Sequence, residues 1–416
     1  MSREWEETTL ADVSSDVAYG YTESASNEKV GPRFLRITDI QNGVVDWNTV
    51  PFCPISKSDH QKYQLHPGDI VVARTGNSTG ENYHYRGTED AVYASYLIRF
   101  RVNQSIADPA FVWYNMRTKR WQEFINSSKT GSAQAGANAK VLGLFPLTLP
   151  PLPEQRAIAS ILGALDDKIE LNRRMNATLE GMARALFQSW FVDFDPVRAK
   201  SEGRAPSAMD AETAALFPSD FVDSELGPIP KGWEAAKLDM ICTISSGKRP
   251  VRRTDTRSSA CNIELYGGGG IMGYVSLPLY NKPIILTGRV GTLGLILRTS
   301  EPSWPSDNTL VLDPKDGFFD FTYFVLKGFD LITLNRGSSQ PLLTQTDLRN
   351  QRFVLPPAAT VRSFSRFAGS IFEQISVNLK QSRTLAALRD TLLPRLLSGE
   401  LSVADISSIA DPILRV

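Results

Sequence analysis

Residues 149–194, LPPLPEQRAIASILGALDDKIELNRRMNATLEGMARALFQSWFVDF, predict one long amphipathic helix. Pro153 suits the first turn of a helix, and the Glu154 that follows places a negative charge where the helix dipole favours it. From Pro153 to Trp190, apolar residues recur at alternating spacings of three and four, which is typical of a coiled-coil seam. The predicted seam comprises Ile158, Ile161, Leu165, Asn172, Met175, Leu179, Met182 and Leu186.

The same pattern recurs 206 residues later, so the chain contains an internal repeat. The motif GSAQ at residues 131–134 returns as GSSQ at 337–340, and LPP at 149–151 returns at 355–357 without a change of offset. A second helix, from Thr360 to Leu397, carries an equivalent seam formed by Phe364, Phe367, Ile371, Asn378, Leu385 and Leu392. A helix of about 37 residues is a rod of ~55 Å. Neither rod can bury its stripe alone, so we expect the two to pair; the alternative is that each packs on its own domain.

Short apolar runs separated by turns precede both helices and predict strands. Examples are DIVVAR and YLIRFRV in the first copy, and KPIILT and NTLVLD in the second. Because helical segments intervene, we predict an α+β fold made of two repeated mixed α/β domains, each followed by a long helix. The predicted boundaries are domain 1 at 1–153, helix 1 at 154–192, a linker at 193–231 with one short helix near 211–217, domain 2 at 232–357, helix 2 at 358–397 and a C-terminal tail at 398–416.

The composition limits the function classes. The chain has 45 Lys plus Arg and 45 Asp plus Glu, a balance that argues against a non-specific DNA-binding protein. Three cysteines without a CxxC pair, together with only three histidines, argue against a disulfide scaffold or a zinc site and fit a reducing compartment. The N-terminal MSREWEETTL lacks the apolar core of a signal peptide, and no apolar run is long enough for a membrane span. We therefore expect a cytoplasmic protein with no membrane contact.

No motif for catalysis stands out. The two Pro-Pro pairs lack the preceding Asn or Asp and the following aromatic residue of amino-methyltransferases. Gly247-Lys248 lacks the leading glycine of a phosphate-binding loop, and no HExxH or GxSxG occurs. The glycine run at 267–270 favours a surface turn over a cofactor loop. We expect a non-catalytic chain that binds neither a metal nor a cofactor.

Two polar, glycine-containing loops recur in both copies and are candidate DNA contacts. Arginine suits guanine, Asn and Gln suit adenine, and Ser and Lys suit phosphate. The first loop follows DIVVA and supplies Arg74, Thr75, Asn77 and Ser78, with Arg289 and Thr292 as counterparts. The second supplies Lys129, Ser132, Gln134, Asn138 and Lys140, with Arg336, Ser338 and Gln340 as counterparts. A basic cluster present only in the second copy, Lys248, Arg249, Arg252 and Arg253, is a candidate phosphate site. A solvated turn is the alternative at each place.

Residues 149–194 and the segment LRDTLLPRLLSGEL at 388–401 resemble the two conserved regions of the specificity subunits of Type I restriction-modification enzymes. FPSDFVDSELGPIPKGW at 217–233 and GSAQ at 131–134 are similar to that family too, so the resemblance covers the whole chain. The chain departs from the pattern after Pro356-Pro357, where LPPLPEQ predicts Leu-Pro-Glu-Gln and the second copy continues with Ala358-Ala359.

The resemblance implies two target recognition domains separated by two long antiparallel coiled-coil helices. Each domain would recognise one half of a bipartite, asymmetric site in double-stranded DNA. Two modification subunits, which bind S-adenosylmethionine, would dock on the helices, and restriction subunits would add ATP and Mg²⁺ chemistry. Two other classes remain open from the residues alone: a fused methyltransferase or nuclease with unrecognised motifs, and a coiled-coil interaction protein without a role on DNA.

Overall fold

The computed structural model describes residues 5–41, 43–128, 137–337 and 340–405. The chain forms two compact units: unit 1 is Met1–Leu171 with Gln381–Val416, and unit 2 is Asn172–Lys380. These limits fall inside the two long helices, whereas the sequence placed the domain boundaries at the helix ends. The physical reason is that one half of each helix packs on the mixed domain of unit 1 and the other half packs on the mixed domain of unit 2.

Unit 1 is built on a four-stranded antiparallel sheet with strand order β2-β9-β6-β7. The central strand DIVVA is buried at every position, as its continuous apolar run predicts. The strands are β1 Glu6–Thr9, β2 Ser14–Tyr19, β3 Arg33–Leu35, β4 Ile40–Gln41, β5 Val44–Val45, β6 Asp69–Ala73, β7 Asn82–His84, β8 Ala91–Tyr93, β9 Leu97–Val102 and β10 Pro146–Leu149. The helices are α1 Lys57–Tyr63, α2 Pro109–Asn115, α3 Lys119–Ser128, α4 Ala139–Gly143 and the first part of α5 Leu152–Phe191.

Unit 2 repeats this architecture with strand order β14-β20-β17-β18. Its strands are β11 Phe221–Ser224, β12 Gly227–Pro230, β13 Glu234–Lys237, β14 Cys242–Ser246, β15 Ile263–Gly267, β16 Gly270–Val275, β17 Ile285–Gly288, β18 Ile296–Arg298, β19 Ser303–Pro305, β20 Thr309–Pro314 and β21 Arg352–Leu355. Its helices are the rest of α5, α6 Asp195–Ser201, α7 Ala211–Ala215, α8 Phe319–Lys327, α9 Gln345–Arg349 and the first part of α10 Ala358–Leu397.

The two copies agree in secondary pairings as well as in the main sheet. In each, the first strand of the copy pairs antiparallel with the last (β1 with β10, β13 with β21), and a short parallel pair flanks the sheet (β3 with β8, β15 with β19). The backbone crosses this flank at Gly20 in unit 1 and at Gly247 in unit 2. A Cβ there would lie 2.3 Å from the carbonyl oxygen of Ala94 or 2.2 Å from that of Ser306. Only glycine fits such an approach, so both copies share a structural constraint.

The two long helices pair antiparallel within each unit, which confirms the predicted pairing. In unit 1, Arg389 Nη1 donates to Asp166 Oδ1 at 2.6 Å, and Ile158 joins the core cluster that contains Leu393 and Leu396. In unit 2, Asn172 lies beside Asn378, and the rings of Phe187 and Phe364 are 5.7 Å apart. As the residue number increases along α5, the number of the residue that it contacts on α10 decreases, as in an antiparallel pair.

The seam differs in detail from the predicted heptad. Ile158, Asn172, Phe364 and Asn378 are buried, and Ile161, Leu165, Leu179, Leu186, Ile371, Leu385 and Leu392 are half-buried. Phe367, Met175 and Met182 are exposed, at 43%, 38% and 56%. Their neighbours Ala183 and Ala368 lie inside instead. The ends of each helix pack on α2 or α8 as well as on the partner helix, so the buried stripe is wider than an a/d seam and shifted by about one residue.

Two of the buried seam positions in unit 2 are asparagines, Asn172 and Asn378. Asn172 Nδ2 donates to the backbone oxygen of Asn378 at 3.4 Å, and Asn378 Nδ2 donates to Asn176 Oδ1 at 2.8 Å. Gln374 Nε2 donates to Asn378 Oδ1 at 3.0 Å. Buried amides of this kind fix the register of a helix pair, since a slipped alignment leaves them without partners.

The segment predicted as a linker is instead part of the core of unit 2. Phe194, Val197 and Phe217 are buried in the cluster that contains Trp190 and Trp233. The Trp190 and Phe217 ring centroids are 5.1 Å apart. The short helix expected near 211–217 is α7, and α6 and the β11–β12 hairpin were not predicted. Aromatic residues dispersed among Ala, Pro and acidic residues anchor this segment, although its composition resembles that of a connector.

The beginning of the predicted tail also belongs to a core. Leu401 and Val403 pack against the unit 1 cluster together with Trp5. Residues 406–416 lie outside the described part of the chain. Among the described residues, no helix combines the length and the apolarity that crossing a bilayer requires.

Candidate nucleic-acid interface

Arg74 lies where three segments of unit 1 meet. It follows β6, and its backbone N–H donates to the Tyr96 oxygen, on the β8–β9 turn, at 3.0 Å. Its own oxygen accepts from Ala137 N, in the part of the second predicted loop that the structure describes, at 3.0 Å. Arg74 of the first loop and Ala137 of the second therefore meet at one edge of the sheet.

The Arg74 side chain is held from two sides. Nε donates to the Ser95 oxygen at 3.0 Å, and the guanidinium carbon lies 5.1 Å from the centroid of the Tyr19 ring. Within the described residues, its two Nη groups have no hydrogen-bond partner. A guanidinium anchored through Nε presents these two groups as a paired donor, the arrangement that guanine O6 and N7 accept.

The rest of the first loop is a rigid turn. Thr75 precedes a short 3₁₀ turn, Gly76–Ser78, in which Asn77 is exposed and Ser78 half-buried. Gly80 closes the turn at φ +95°, and a Cβ there would lie 2.8 Å from Ile125, which is fully buried. The loop therefore directs the Asn77 amide to solvent from a fixed backbone.

Unit 2 reproduces the same edge. Arg289 follows β17, its N–H donates to the Asn308 oxygen at 2.8 Å, and its oxygen accepts from Leu343 N at 2.9 Å. In the described part of the chain, the half-buried Arg289 side chain has no ion pair or hydrogen bond. Thr292 is exposed, and Gly294 closes the loop at φ +84°. The equivalence of the first loops, predicted from Arg-x-Gly, is thus present in the backbone.

The structure describes only part of the second loop in each unit. Lys129, Ser132, Gln134 and Ser338 lie outside the described residues. Lys140 and Gln340 are exposed.

Two further residues of that loop serve structural roles instead of presenting free side chains. Asn138 caps α4 by accepting from Val141 N at 2.9 Å. Arg336 Nε donates to Asp347 Oδ1 at 2.7 Å, and Asp347 in turn accepts from the hydroxyl of Thr344, the residue that caps α9. The hydrogen bond from Arg336 holds the pKa of Asp347 below its usual value. The first backbone N–H groups of a helix lack partners within the helix, and a capping side chain accepts from one of them. Both copies have such a cap.

The basic cluster presents charge to solvent from a segment that is fixed near both ends. Lys248 N donates to the Pro305 oxygen at 3.0 Å, and Trp304 Nε1 donates to the Lys248 oxygen at 2.7 Å. Further along, Thr254 exchanges backbone hydrogen bonds with Tyr274. All of the predicted cations are exposed, and none pairs with an acid among the residues described: Lys248, Arg249, Arg252 and Arg253. Unpaired cations on a fixed loop are suited to phosphate oxygens.

Sequence reasoning missed the turns that complete each edge. Ser95 and Tyr96 connect β8 to β9, and Asp307 and Asn308 connect β19 to β20, at the positions to which Arg74 and Arg289 are bonded. Tyr19, 43% exposed, also lies at this edge. The only sequence feature that marks these turns is two consecutive polar residues between two apolar strands. Many ordinary hairpins have the same feature.

The glycine run is a hairpin turn between β15 and β16. A Cβ at Gly268 would lie 3.0 Å from both Gly288 Cα and the Thr292 oxygen, so the turn packs against the first loop of unit 2. In the described ranges, no three His, Cys, Asp or Glu side chains form a metal-binding group.

Comparison with known proteins gives consistent results. The family model of the Type I restriction modification DNA specificity domain matches residues 2–181 and 230–374. The Type I restriction enzyme HindI specificity subunit of Haemophilus influenzae is 26% identical, over 96% of this chain and 100% of the relative. The MjaIX specificity subunit of Methanocaldococcus jannaschii is 24% identical, over 82% and 76%. The crystal structure of a Type-I restriction-modification system S subunit from M. genitalium shares the fold, with a TM-score of 0.56 at 17% identity, and covers 95% of this chain and 97% of that one.

Proposed function

Because the chain belongs to the Type I restriction modification DNA specificity domain family, we propose that each of its units recognises one half of a bipartite, asymmetric site in double-stranded DNA. The chain is a specificity subunit of a Type I restriction-modification system, with two repeated target recognition domains. The observation that supports the division into half-sites is the arginine-bearing edge that recurs in both units with the same backbone bonds.

Recognition in this scheme combines two kinds of contact. Arg74 and Arg289 each donate to a guanine edge in the major groove, and Asn77 and Thr292 lie on the same loops for neighbouring contacts. Because Arg74 is held by Ser95 and Tyr19 before DNA arrives, little side-chain freedom is lost on binding. The exposed cations of the basic cluster contact phosphates, which position unit 2 on the duplex without selecting a base.

DNA and the other subunits of the restriction-modification system are the partners of this chain. We infer that it performs no chemistry itself. In this scheme, two modification subunits dock on the long helices and supply S-adenosylmethionine, and restriction subunits supply ATP and Mg²⁺. Exposed apolar side chains on both helices support a docking role, because burial of apolar surface stabilises protein association. They are Leu171, Met182, Val377, Leu379 and Leu388, each 46–56% exposed.

Methylation of DNA by the assembled complex tests this function. The purified chain should transfer no methyl group, and addition of the modification subunit should produce adenine methylation at one bipartite site. Arg74→Ala should relax one half of that site and Arg289→Ala the other, each by ~1–3 kcal/mol of discrimination. Arg204→Ala, which removes an exposed arginine outside the two arginine-bearing edges and outside the long helices, is the matched control and should leave both half-sites unchanged. If either Arg74→Ala or Arg289→Ala relaxed the base preference of both half-sites equally, the result would contradict the proposal.

A further inference from the structure

We propose that the turn Asp307–Asn308 is a second base-contacting element of unit 2, and that its two side chains help to select the half-site. This inference rests on the proposed function, since it places the turn on the DNA-facing edge. The Asn308 oxygen accepts from Arg289 N at 2.8 Å, so the turn and the arginine are fixed to each other through the backbone. The side chains of the turn can therefore reach the base pairs next to the one that Arg289 contacts.

The turn is preorganised by the buried residues on either side of it. Ser306 N donates to the Tyr266 oxygen at 2.9 Å, and Thr309 donates to the Ser306 oxygen from both N at 3.0 Å and Oγ1 at 2.6 Å. Ser306 and Thr309 are 2% and 0% exposed, whereas Asp307 and Asn308 between them are exposed. The turn therefore projects two polar side chains from a backbone that hydrogen bonds hold on both sides.

The chemistry of the two side chains suits base edges better than phosphates. Asp307 forms no ion pair among the described residues, although unit 2 carries many unpaired cations. A carboxylate at a DNA surface repels phosphate, but it accepts well from the N4 amino group of cytosine. The Asn308 amide can donate to N7 and accept from N6 of adenine. Asp307, Asn308 and Arg289 thus favour three different bases: cytosine, adenine and guanine.

Unit 1 has the same turn with different side chains. The Tyr96 oxygen accepts from Arg74 N at 3.0 Å, as the Asn308 oxygen does from Arg289 N. Ser95 and Tyr96 take the places of Asp307 and Asn308, and Tyr96 is 55% exposed. An exposed ring of this kind is suited to contact with the thymine methyl group. A shared backbone with different side chains is what two units need in order to select different half-sites.

The test is the double variant Asp307→Ala with Asn308→Ala in the chain assembled with its modification subunit. Methylated adenines are mapped on a library in which each base of the site is varied. Discrimination in the unit 2 half-site should fall roughly 5- to 100-fold, at positions next to the Arg289 base, while the unit 1 half-site is unchanged. Asp307→Asn, which keeps the shape of the side chain, should lower the preference for cytosine alone. Asp223→Ala, at an exposed carboxylate on β11, is the matched control with no expected change.

The outcomes separate the two hypotheses. If Arg289→Ala relaxes the unit 2 half-site but neither turn variant alters it, the turn proposal is overturned and the proposed function stands. If neither Arg289→Ala nor the turn variants change any half-site while the wild-type complex still methylates a bipartite site, both are overturned. Transfer of the pair into unit 1, as Ser95→Asp with Tyr96→Asn, should change the unit 1 half-site only, and a change in both halves would also refute the assignment.

Discussion

The loops that follow β2 in unit 1 and β14 in unit 2 begin at equivalent glycines but carry opposite charge. Residues 21–30, YTESASNEKV, contain two acids and one base, whereas residues 248–257, KRPVRRTDTR, contain five bases and one acid. Their first backbone bonds match, from Tyr21 N to the Tyr93 oxygen at 2.8 Å and from Lys248 N to the Pro305 oxygen at 3.0 Å. The two copies thus share the backbone position at which the loop starts, but the loop differs in charge between them. On DNA we expect unit 2 to supply most of the phosphate attraction.

The largest expected effect comes from removing that charge. Replacing Lys248, Arg249, Arg252 and Arg253 with alanine should reduce the slope of log affinity against log salt by about 0.9 per cation, or up to ~3.6. At ~0.15 M salt this corresponds to an affinity up to roughly 10³-fold weaker, for all DNA sequences alike. Titrations of the assembled complex on cognate and random duplexes at several salt concentrations measure it. Replacing Glu23 and Glu28 in unit 1 is the control, and an equal effect there would remove the contrast between the units.

A second effect compares the glycines that close the two arginine loops. Both have positive φ, which costs an L-residue ~1–2 kcal/mol. Gly80→Ala adds a clash with the fully buried Ile125, so unit 1 should lose ~2–4 kcal/mol of unfolding free energy. Gly294→Ala meets Ile332 at 3.3 Å, and Ile332 is 66% exposed and can move, so the loss in unit 2 should stay near ~1–2 kcal/mol. Urea unfolding of both variants would decide, and a larger loss for Gly294→Ala would be inconsistent with these packing differences.

The smallest effect concerns acid sensitivity. Arg336 and the Thr344 hydroxyl lower the pKa of Asp347, so this carboxylate stabilises unit 2 above its unfolded pKa of ~3.9. That contribution is lost as the pH falls through the lower folded pKa. Asp347→Asn should therefore be less stable than wild type near neutral pH, and the difference should shrink as the pH falls below the unfolded pKa of ~3.9. The unit 1 cap has no acid at the equivalent place, so Asn138→Ala should show a difference independent of pH. Thermal unfolding at a series of pH values measures both.

The features that follow from the repeat could be predicted from sequence. A constant offset between the two helices and between the second loops implies a common fold, because equivalent residues must meet equivalent surroundings. The pairing of α5 with α10 follows from this. The match of Arg74 with Arg289 has a different offset and follows from the Arg-x-Gly pattern after an apolar strand. The central strands were predictable too, since a continuous apolar run such as DIVVA has few alternatives to burial.

The rest depends on tertiary contacts that leave little trace in local sequence. Phe367 fits a heptad, yet it is 43% exposed, whereas its neighbour Ala368 is fully buried. Arg336 resembles a DNA contact until Asp347 is found within hydrogen-bonding distance, 11 residues later in the chain. The aromatic residues of 193–231 are too widely spaced for a helical or strand period, so their burial around Trp190 and Trp233 appears only in the fold.

The division of each long helix between the units also sets an order of folding during synthesis. Unit 2 is continuous, from Asn172 to Lys380, and is complete once Lys380 has left the ribosome. The core of unit 1 includes Leu393, Leu396 and Leu397, which are made after the whole of unit 2. At ~5–20 residues per second, the N-terminal part of unit 1 waits on the order of ten to forty seconds for these leucines. We therefore expect the part of the chain that is translated first to be the last to reach its native state, with its apolar surface exposed to chaperones and proteases until then.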